Sequence, residues 1–391
     1  MKLKFLFFAI TFFGLNAMAS GQSIASLNFN HIYNPNHEVA LGLKVVKARQ
    51  QVTVYFEFKA NNSQYPIENY RLSWERRESY TTKEGVPLEQ KEETMVSSDS
   101  SKIIGKFIFP MPTKQWMLLV KVTNSATMKS WSFFQIIDSK YPVNGFVEDK
   151  NGLVFRPYLL AGNDYTVNGS DKALHVDYYK TNFPISSPPF AEKEAKSDRF
   201  MFPDSTFIAA PGQKISIARE GLYLVQEDTT AAEGFAFRAV NGVFPKFTKV
   251  EDLVAPLIFV CTKAEHEALI AAKGDKAKFD KVILDITRDK ERAKNFMRSY
   301  FRRVELSNLY FSSYKEGWKT DRGMIFLIFG LPDEVSRNGQ NEVWYYKNYY
   351  TRFTFVRTGS IYDPSQYTLI RNTNYMETWF NTIDLWRKSR F

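Results

Sequence analysis

The 391-residue chain has a single cysteine, Cys261, which excludes an intramolecular disulfide. It sits in the apolar run 256–261, where a thiol behaves as a small buried hydrophobe. Stability must therefore come from packed cores, and the length suits two or three domains. Histidine is scarce as well, with only His31, His37, His175 and His266. His31 and His37 flank Asn34-Pro35-Asn36, which reads as a turn rather than a metal pair. There is no His-x-x-x-His, no Gly-x-Ser-x-Gly and no phosphate-cradling glycine loop. These absences argue against zinc chemistry and His-assisted hydrolysis, and no residue is assigned a catalytic, cofactor-binding or metal-binding role.

Long apolar runs are missing too. The first residues carry Lys2 and Lys4, an apolar stretch at 5–15 and then Ala17-Met18-Ala19, the three-part pattern of a secretory signal peptide cleaved after Ala19. Its apolar core, about 11 residues, is short of the roughly 20 that a bilayer core requires. No cysteine near the cleavage site offers a lipid anchor. The expectation is an exported protein of a two-membrane bacterium, located in the periplasm, with no transmembrane segment after cleavage. The formal charge of +10 suits acidic lipid headgroups, lipopolysaccharide phosphates or acidic proteins. Nucleic acid is not an expected partner, because the compartment is wrong and no nucleic-acid motif occurs.

Aromatic residues are plentiful, 16% of the chain, and they are arranged in short strands. Val52, Val54, Phe56 and Phe58 alternate with polar residues, and segments 70–75, 103–109, 117–122 and 131–137 continue the theme between turn clusters. An antiparallel β-sandwich over 20–140 is expected. A second follows over 141–245, with a loop at 182–190 whose Pro184, Pro188 and Pro189 cannot sit in a central sheet. From 246 the pattern turns helical. A short helix interrupted at Pro256 is followed by the capping box Thr262-Lys263-Ala264-Glu265, a helix stopped by Gly274, and a long amphipathic helix through Phe296, Tyr300, Val304 and Phe311. The opposite side of that helix carries Arg298, Arg302 and Arg303, candidate partner-binding residues. Residues 324–329 read as a buried strand, and 342–346 with 351–357 as a hairpin. A final amphipathic helix presents Met376, Phe380, Ile383 and Trp386. The fold class expected is mainly β, with two tandem antiparallel β-sandwiches followed by a C-terminal α+β module of helices on a small antiparallel sheet.

One motif stands out in that module: Gly317-Trp318-Lys319-Thr320-Asp321-Arg322-Gly323, then the turn Gly330-Leu331-Pro332-Asp333-Glu334 and the strand Trp344-Tyr345-Tyr346. Gly317 leaves room for the indole, Thr320 can cap a helix, Asp321 can accept from backbone amides or pair with Arg322, and Gly323 frees the backbone for a reversal into the next strand. These residues, with the basic-aromatic helix at 298–304, resemble the GWxTD domain over roughly 250–367. The resemblance implies an exported Bacteroidota-type protein with β-sandwich regions ahead of the module, and no attached chemistry. More weakly, the hairpin is similar to the small lipoproteins of the outer-membrane barrel-assembly machine.

Three readings of function follow. The favoured one is a non-enzymatic periplasmic interaction or adaptor protein whose partner is another envelope protein, with the inner face of the outer membrane as one place for it. Oligomeric state is open. The alternatives are a glycan- or lipopolysaccharide-binding protein using Trp74, Trp116 and Trp131, or a glycan hydrolase using Asp321, Asp333 and Glu334.

Overall fold

In the computed structural model, residues 22–48, 51–88, 94–98, 101–111, 114–138, 142–180, 183–192 and 201–391 are described. The expected signal peptide at 1–19 and the acidic stretch at 89–93 lie outside them. Eight strands open the chain: β1 (Val39–Ala48), β2 (Gln51–Ala60), β3 (Tyr70–Arg77), β4 (Val86–Pro87), β5 (Thr94–Ser98), β6 (Lys102–Pro110), β7 (Trp116–Asn124) and β8 (Ser130–Ile137). They form two four-stranded sheets, β1-β2-β6-β5 and β4-β3-β7-β8, antiparallel throughout. The period-two pattern of β2 places Val52, Val54, Phe56 and Phe58 in the core, where they meet Trp74, Phe107, Trp116 and Leu118.

Nine strands follow: β9 (Phe146–Asp149), β10 (Gly152–Leu153), β11 (Tyr158–Leu160), β12 (Asn163–Asn168), β13 (Leu174–Tyr179), β14 (Ser205–Ala209), β15 (Lys214–Ile217), β16 (Gly221–Gln226) and β17 (Phe235–Val240). Their sheets run β10-β9-β12-β15 and β11-β17-β16-β13-β14, and β11 pairs with β17 in parallel while the other pairs are antiparallel. Strand β16 is buried at every position. Tyr223 and Val225 face the sandwich core, whereas Leu222 and Leu224 face outward onto Tyr314, Ile361 and Tyr362 of the C-terminal region. A sheet covered on both faces needs apolar residues on both.

The C-terminal region contains α1 (Val250–Val254), α2 (Lys263–Ala271), α3 (Lys276–Thr287), α4 (Lys290–Phe311), α5 (Asp321–Phe329) and α6 (Tyr375–Arg387), with the antiparallel sheet β18 (Glu334–Asn338), β19 (Asn341–Tyr346), β20 (Thr351–Arg357) and β21 (Tyr367–Leu369). The helix broken at Pro256 appears as α1 continued by a 3-10 turn. Thr262 and Glu265 form the capping box of α2, and α4 is the long helix.

Two local expectations fail. Residues 324–329 are helix, not strand: Thr320 caps α5, Gly330 ends it at φ 84°, and all six residues 324–329 are buried. A six-residue apolar run has no readable period, and a helix surrounded on all sides needs no polar face. In α6 the buried stripe is Trp379, Thr382 and Trp386, while Met376 and Phe380 are exposed. The stripe is turned by about 60° from the expected one, a shift of three residues at 100° each. The helix docks on its own chain, with the Trp386 indole N–H donating to Ile328 O at 3.0 Å. Among the described residues no helix is long and apolar enough to cross a membrane.

Candidate functional site

The motif lies where α4, the 3-10 turn Gly317–Lys319 and the start of α5 cross. Its two glycines serve backbone contact rather than backbone freedom. A Cβ on Gly317 would overlap Ser307 O and lie 2.6 Å from the Ser307 carbonyl carbon; one on Gly323 would overlap Gly317 O and lie 2.6 Å from its carbonyl carbon. Gly323 thus lets the first turn of α5 rest on the turn before it, and makes no reversal into a strand. Thr320 caps α5 by accepting from Gly323 N at 3.0 Å while its hydroxyl donates to Gly317 O at 2.7 Å, a cap contributing about 1 kcal/mol. The Trp318 ring is 1% exposed and meets Phe259 edge-on.

Asp321 is buried, and its carboxylate is used twice. It accepts from Leu369 N at 2.8 Å, covering the outer edge of β21, and it pairs with Arg371 Nη2 at 2.7 Å. Its ionic partner is therefore Arg371, not the adjacent Arg322. The Arg322 guanidinium lies over Tyr367, 4.5 Å from the ring centre, and 3.7 Å from Glu342. Glu342 is wholly buried and gathers Arg337 at 2.7 Å, the Tyr33 hydroxyl at 2.8 Å and the Trp344 indole N–H at 2.8 Å. Burial raises the Glu342 pKa, but Arg337 and Arg322 outweigh it and hold the carboxyl below its usual value.

Three distant segments close over this junction. Asn28 and Asn30 donate to Asp333 O at 3.2 and 2.9 Å, and Phe29 N donates to Val335 O, so the first described residues cover the edge of β18. The proline-rich loop 183–190 crosses the motif itself: the Ser186 hydroxyl donates to Lys319 O, the Lys315 amine to Pro184 O and Arg371 to Ser187 O, at 2.8, 3.0 and 3.1 Å. The strand end Tyr367–Leu369 supplies the third. Between the loop and the motif lies a cavity of about 140 Å³ lined by Lys315, Asp321, Asp363, Gln366 and Arg371. Burial pushes the Lys315 ammonium down to about 8 and pushes the Asp363 carboxyl up. Both shifts are toward the neutral form, as burial dictates.

The remaining expected residues are dispersed. Gly330 caps α5 with its carbonyl accepting from the Tyr346 hydroxyl at 2.8 Å, and Pro332 is buried behind it. Asp333 and Glu334 are exposed and both reach Lys347, at its amide and its amine. They lie at the opposite end of α5 from Asp321, roughly 13 Å along a nine-residue helix, so the three carboxylates do not converge. Tyr345 stacks under Arg352. On α4, Arg298 and Arg302 are exposed, and Arg302 pairs with Glu305. Arg303 turns inward, donating to Phe326 O and lying over the Trp386 ring. It is thereby removed from the face expected to bind a partner, because it follows the exposed Arg302 by one residue and points about 100° away. Trp74 and Trp116 are core residues, and Trp131 meets His37 edge-on.

The match to a family model decides how this module is classified: residues 221–388 fit the GWxTD domain. The chain carries a GWxTD domain. The match begins at β16, inside the second sandwich, and runs through α6, so the GWxTD domain takes in the two strands whose outer faces pack on it. No curated protein matches the chain. Among solved structures, a tandem pair of titin Ig domains matches at 9% identity, covering 51% of this chain and 95% of that one at a TM-score of 0.16.

Proposed function

We propose that this GWxTD protein is a non-enzymatic interaction protein of the periplasm, which tethers a partner envelope protein through the outer face of α4. The carrying observation is that face: Arg292, Lys294, Arg298 and Arg302 are all exposed along one helix, and only Arg302 has an ion pair among the described residues. A cationic row in which one charge of four is paired suits an acidic protein surface, where complementarity steers association and fixes orientation. The GWxTD motif supports this reading from inside, by fixing α4 against the loop of the second sandwich so that the row is presented on a rigid frame. Export rests on the pattern of the first 19 residues, and placement at the inner face of the outer membrane belongs to the same proposal.

The test is purification of the tagged native protein from gently solubilised envelopes, beside Arg298→Glu/Arg302→Glu. A defined co-complex lost in the charge-reversed protein is the expected result. A lone protein in both preparations, or a complex indifferent to the reversal, overturns the proposal.

A further inference from the structure

A second, larger cavity plays no part in the motif. It holds about 360 Å³ where the two sandwiches and the GWxTD domain meet, within the size range of small-molecule sites, about 300–1,000 Å³, which favour such junctions. Its walls are mostly apolar, with Val45 from the first sandwich and Val154, Phe155 and Ala236 from the second. Its charged lining is unbalanced: Lys44, Lys47, Arg156 and Arg357 face two carboxylates, Asp138 and Asp363. Arg357 is paired with Asp138 at 2.7 Å and Arg156 with Asp149 at 3.3 Å. Lys44 differs from them. Its amine makes one hydrogen bond, to Val154 O at 2.8 Å, and no carboxylate pairs with it among the described residues. An ammonium carries three donors, so two remain for a ligand at the cavity wall.

We propose that this cavity binds an amphiphile with a medium-length acyl chain and one anionic head, carboxylate or phosphate, with the chain among the apolar walls and the head at Lys44. The geometry assigns both halves of the ligand. Apolar surface at a junction of three units removes a hydrocarbon chain from water, and an oxyanion supplies the acceptor that the Lys44 amine lacks, as a charge-assisted bond. Burial lowers the Lys44 ammonium to about 8, and an anion beside it favours the charged form. This inference stands apart from the α4 proposal, since neither Arg298 nor Arg302 lines the cavity.

Calorimetric titration of the delipidated full chain with decanoate, decyl phosphate and decanol tests it. One site per chain is expected, with the two anions binding about tenfold or more tightly than the alcohol. The tighter of the two anions distinguishes a fatty acid from a phosphorylated lipid. Lys44→Gln, which keeps a donor for Val154 O, is expected to bring the anions to the level of decanol, and Ala236→Trp, which fills the cavity, to abolish all three. Should Ala236→Trp fail to fold, Val45→Phe fills the cavity from the opposite wall and is read the same way. Absence of binding by either anion in the native chain, anion binding unaffected by Lys44→Gln, or binding that survives the filled cavity overturns the inference.

Discussion

Replacing Gly317 by alanine puts a methyl group where the carbonyl of Ser307 already stands. The new Cβ would lie 2.6 Å from the Ser307 carbonyl carbon and 2.8 Å from Asn308 Cα. Both are backbone atoms in the last turns of α4, so no side-chain rotation relieves the overlap. The turn and the helix must part by roughly 1 Å to regain ordinary contact. Three hydrogen bonds cross or flank that gap: Gly317 N to Ser312 Oγ at 3.0 Å, Trp318 N to Asn308 Oδ1 at 3.3 Å and Ser307 Oγ to Gly323 O at 3.1 Å. Overpacking costs about 1–3 kcal/mol and each of the three weakened buried bonds about 1 kcal/mol, which puts the loss at about 4–6 kcal/mol. For a cooperative unit of 150–250 residues this lowers Tm by about 10 °C or more. Gly242→Ala is the control, because a Cβ there meets nothing and φ is not positive; it should stay within about 1 kcal/mol of wild type. Urea unfolding followed by tryptophan fluorescence, with calorimetric Tm, measures both. A Gly317→Ala protein as stable as Gly242→Ala would refute the reasoning that the motif glycines exist for backbone contact.

Trp318→Ala should destabilise the GWxTD domain by about 3–5 kcal/mol in the same assay, since the ring is core; a fully stable variant that lost only a partner would make it an interface residue. Glu342→Gln leaves Arg337 and Arg322 without their shared carboxylate in a buried site and should cost about 3–5 kcal/mol, read from the shift in urea midpoint. His31 is held neutral, its pKa pushed down to about 4 from 6.5 by burial and then by His37. As pH falls from 6.5 the unfolded chain takes up this proton first, so stability drops until about pH 4, by up to about 3 kcal/mol, and levels off below. The difference between wild type and His31→Gln across that window isolates the effect, and parallel curves would contradict it.

Elements with a local signature were legible. The capping box at Thr262 and Glu265, the alternation of Val52 to Phe58 and the three-four spacing of Phe296, Tyr300, Val304 and Phe311 each state their structure within one or two turns of chain. Residues 324–329 state none, because an apolar run fits a buried helix and a buried strand equally. The cap at Thr320 was recognised, yet its meaning for the residues after it was overridden by their β-branched and aromatic content. The partner of Asp321 was out of reach for another reason: Arg371 and Leu369 are about fifty positions away, and no spacing rule links an acid to a base across a sheet. The proline loop was correctly a loop, but the prolines say only what it cannot be. Nothing in its sequence shows that Ser186 and Pro184 accept or supply bonds to the motif.

Those long-range bonds explain why the motif couples small residues with charged ones. A glycine pair brings two backbones into contact, which leaves carbonyls at Lys319, Gly317 and Gly323 facing inward, and each is met by a hydroxyl: Ser186, Thr320 and Ser307 in turn. Buried carbonyls left unmet would be costly. Asp321 does the converse, giving an acceptor to the open edge of β21 and a counter-ion to Arg371, whose Nη2 also reaches the proline loop. The tryptophan fills the space beside them. Loop 183–190 and residues 28–33 are therefore parts of the same junction although they lie far upstream of it. A fragment beginning at residue 246 would lack both, leaving the Lys319 carbonyl, the Lys315 amine and the edge of β18 without the partners that now satisfy them. On this argument the conformation of the GWxTD domain depends on the sandwiches before it.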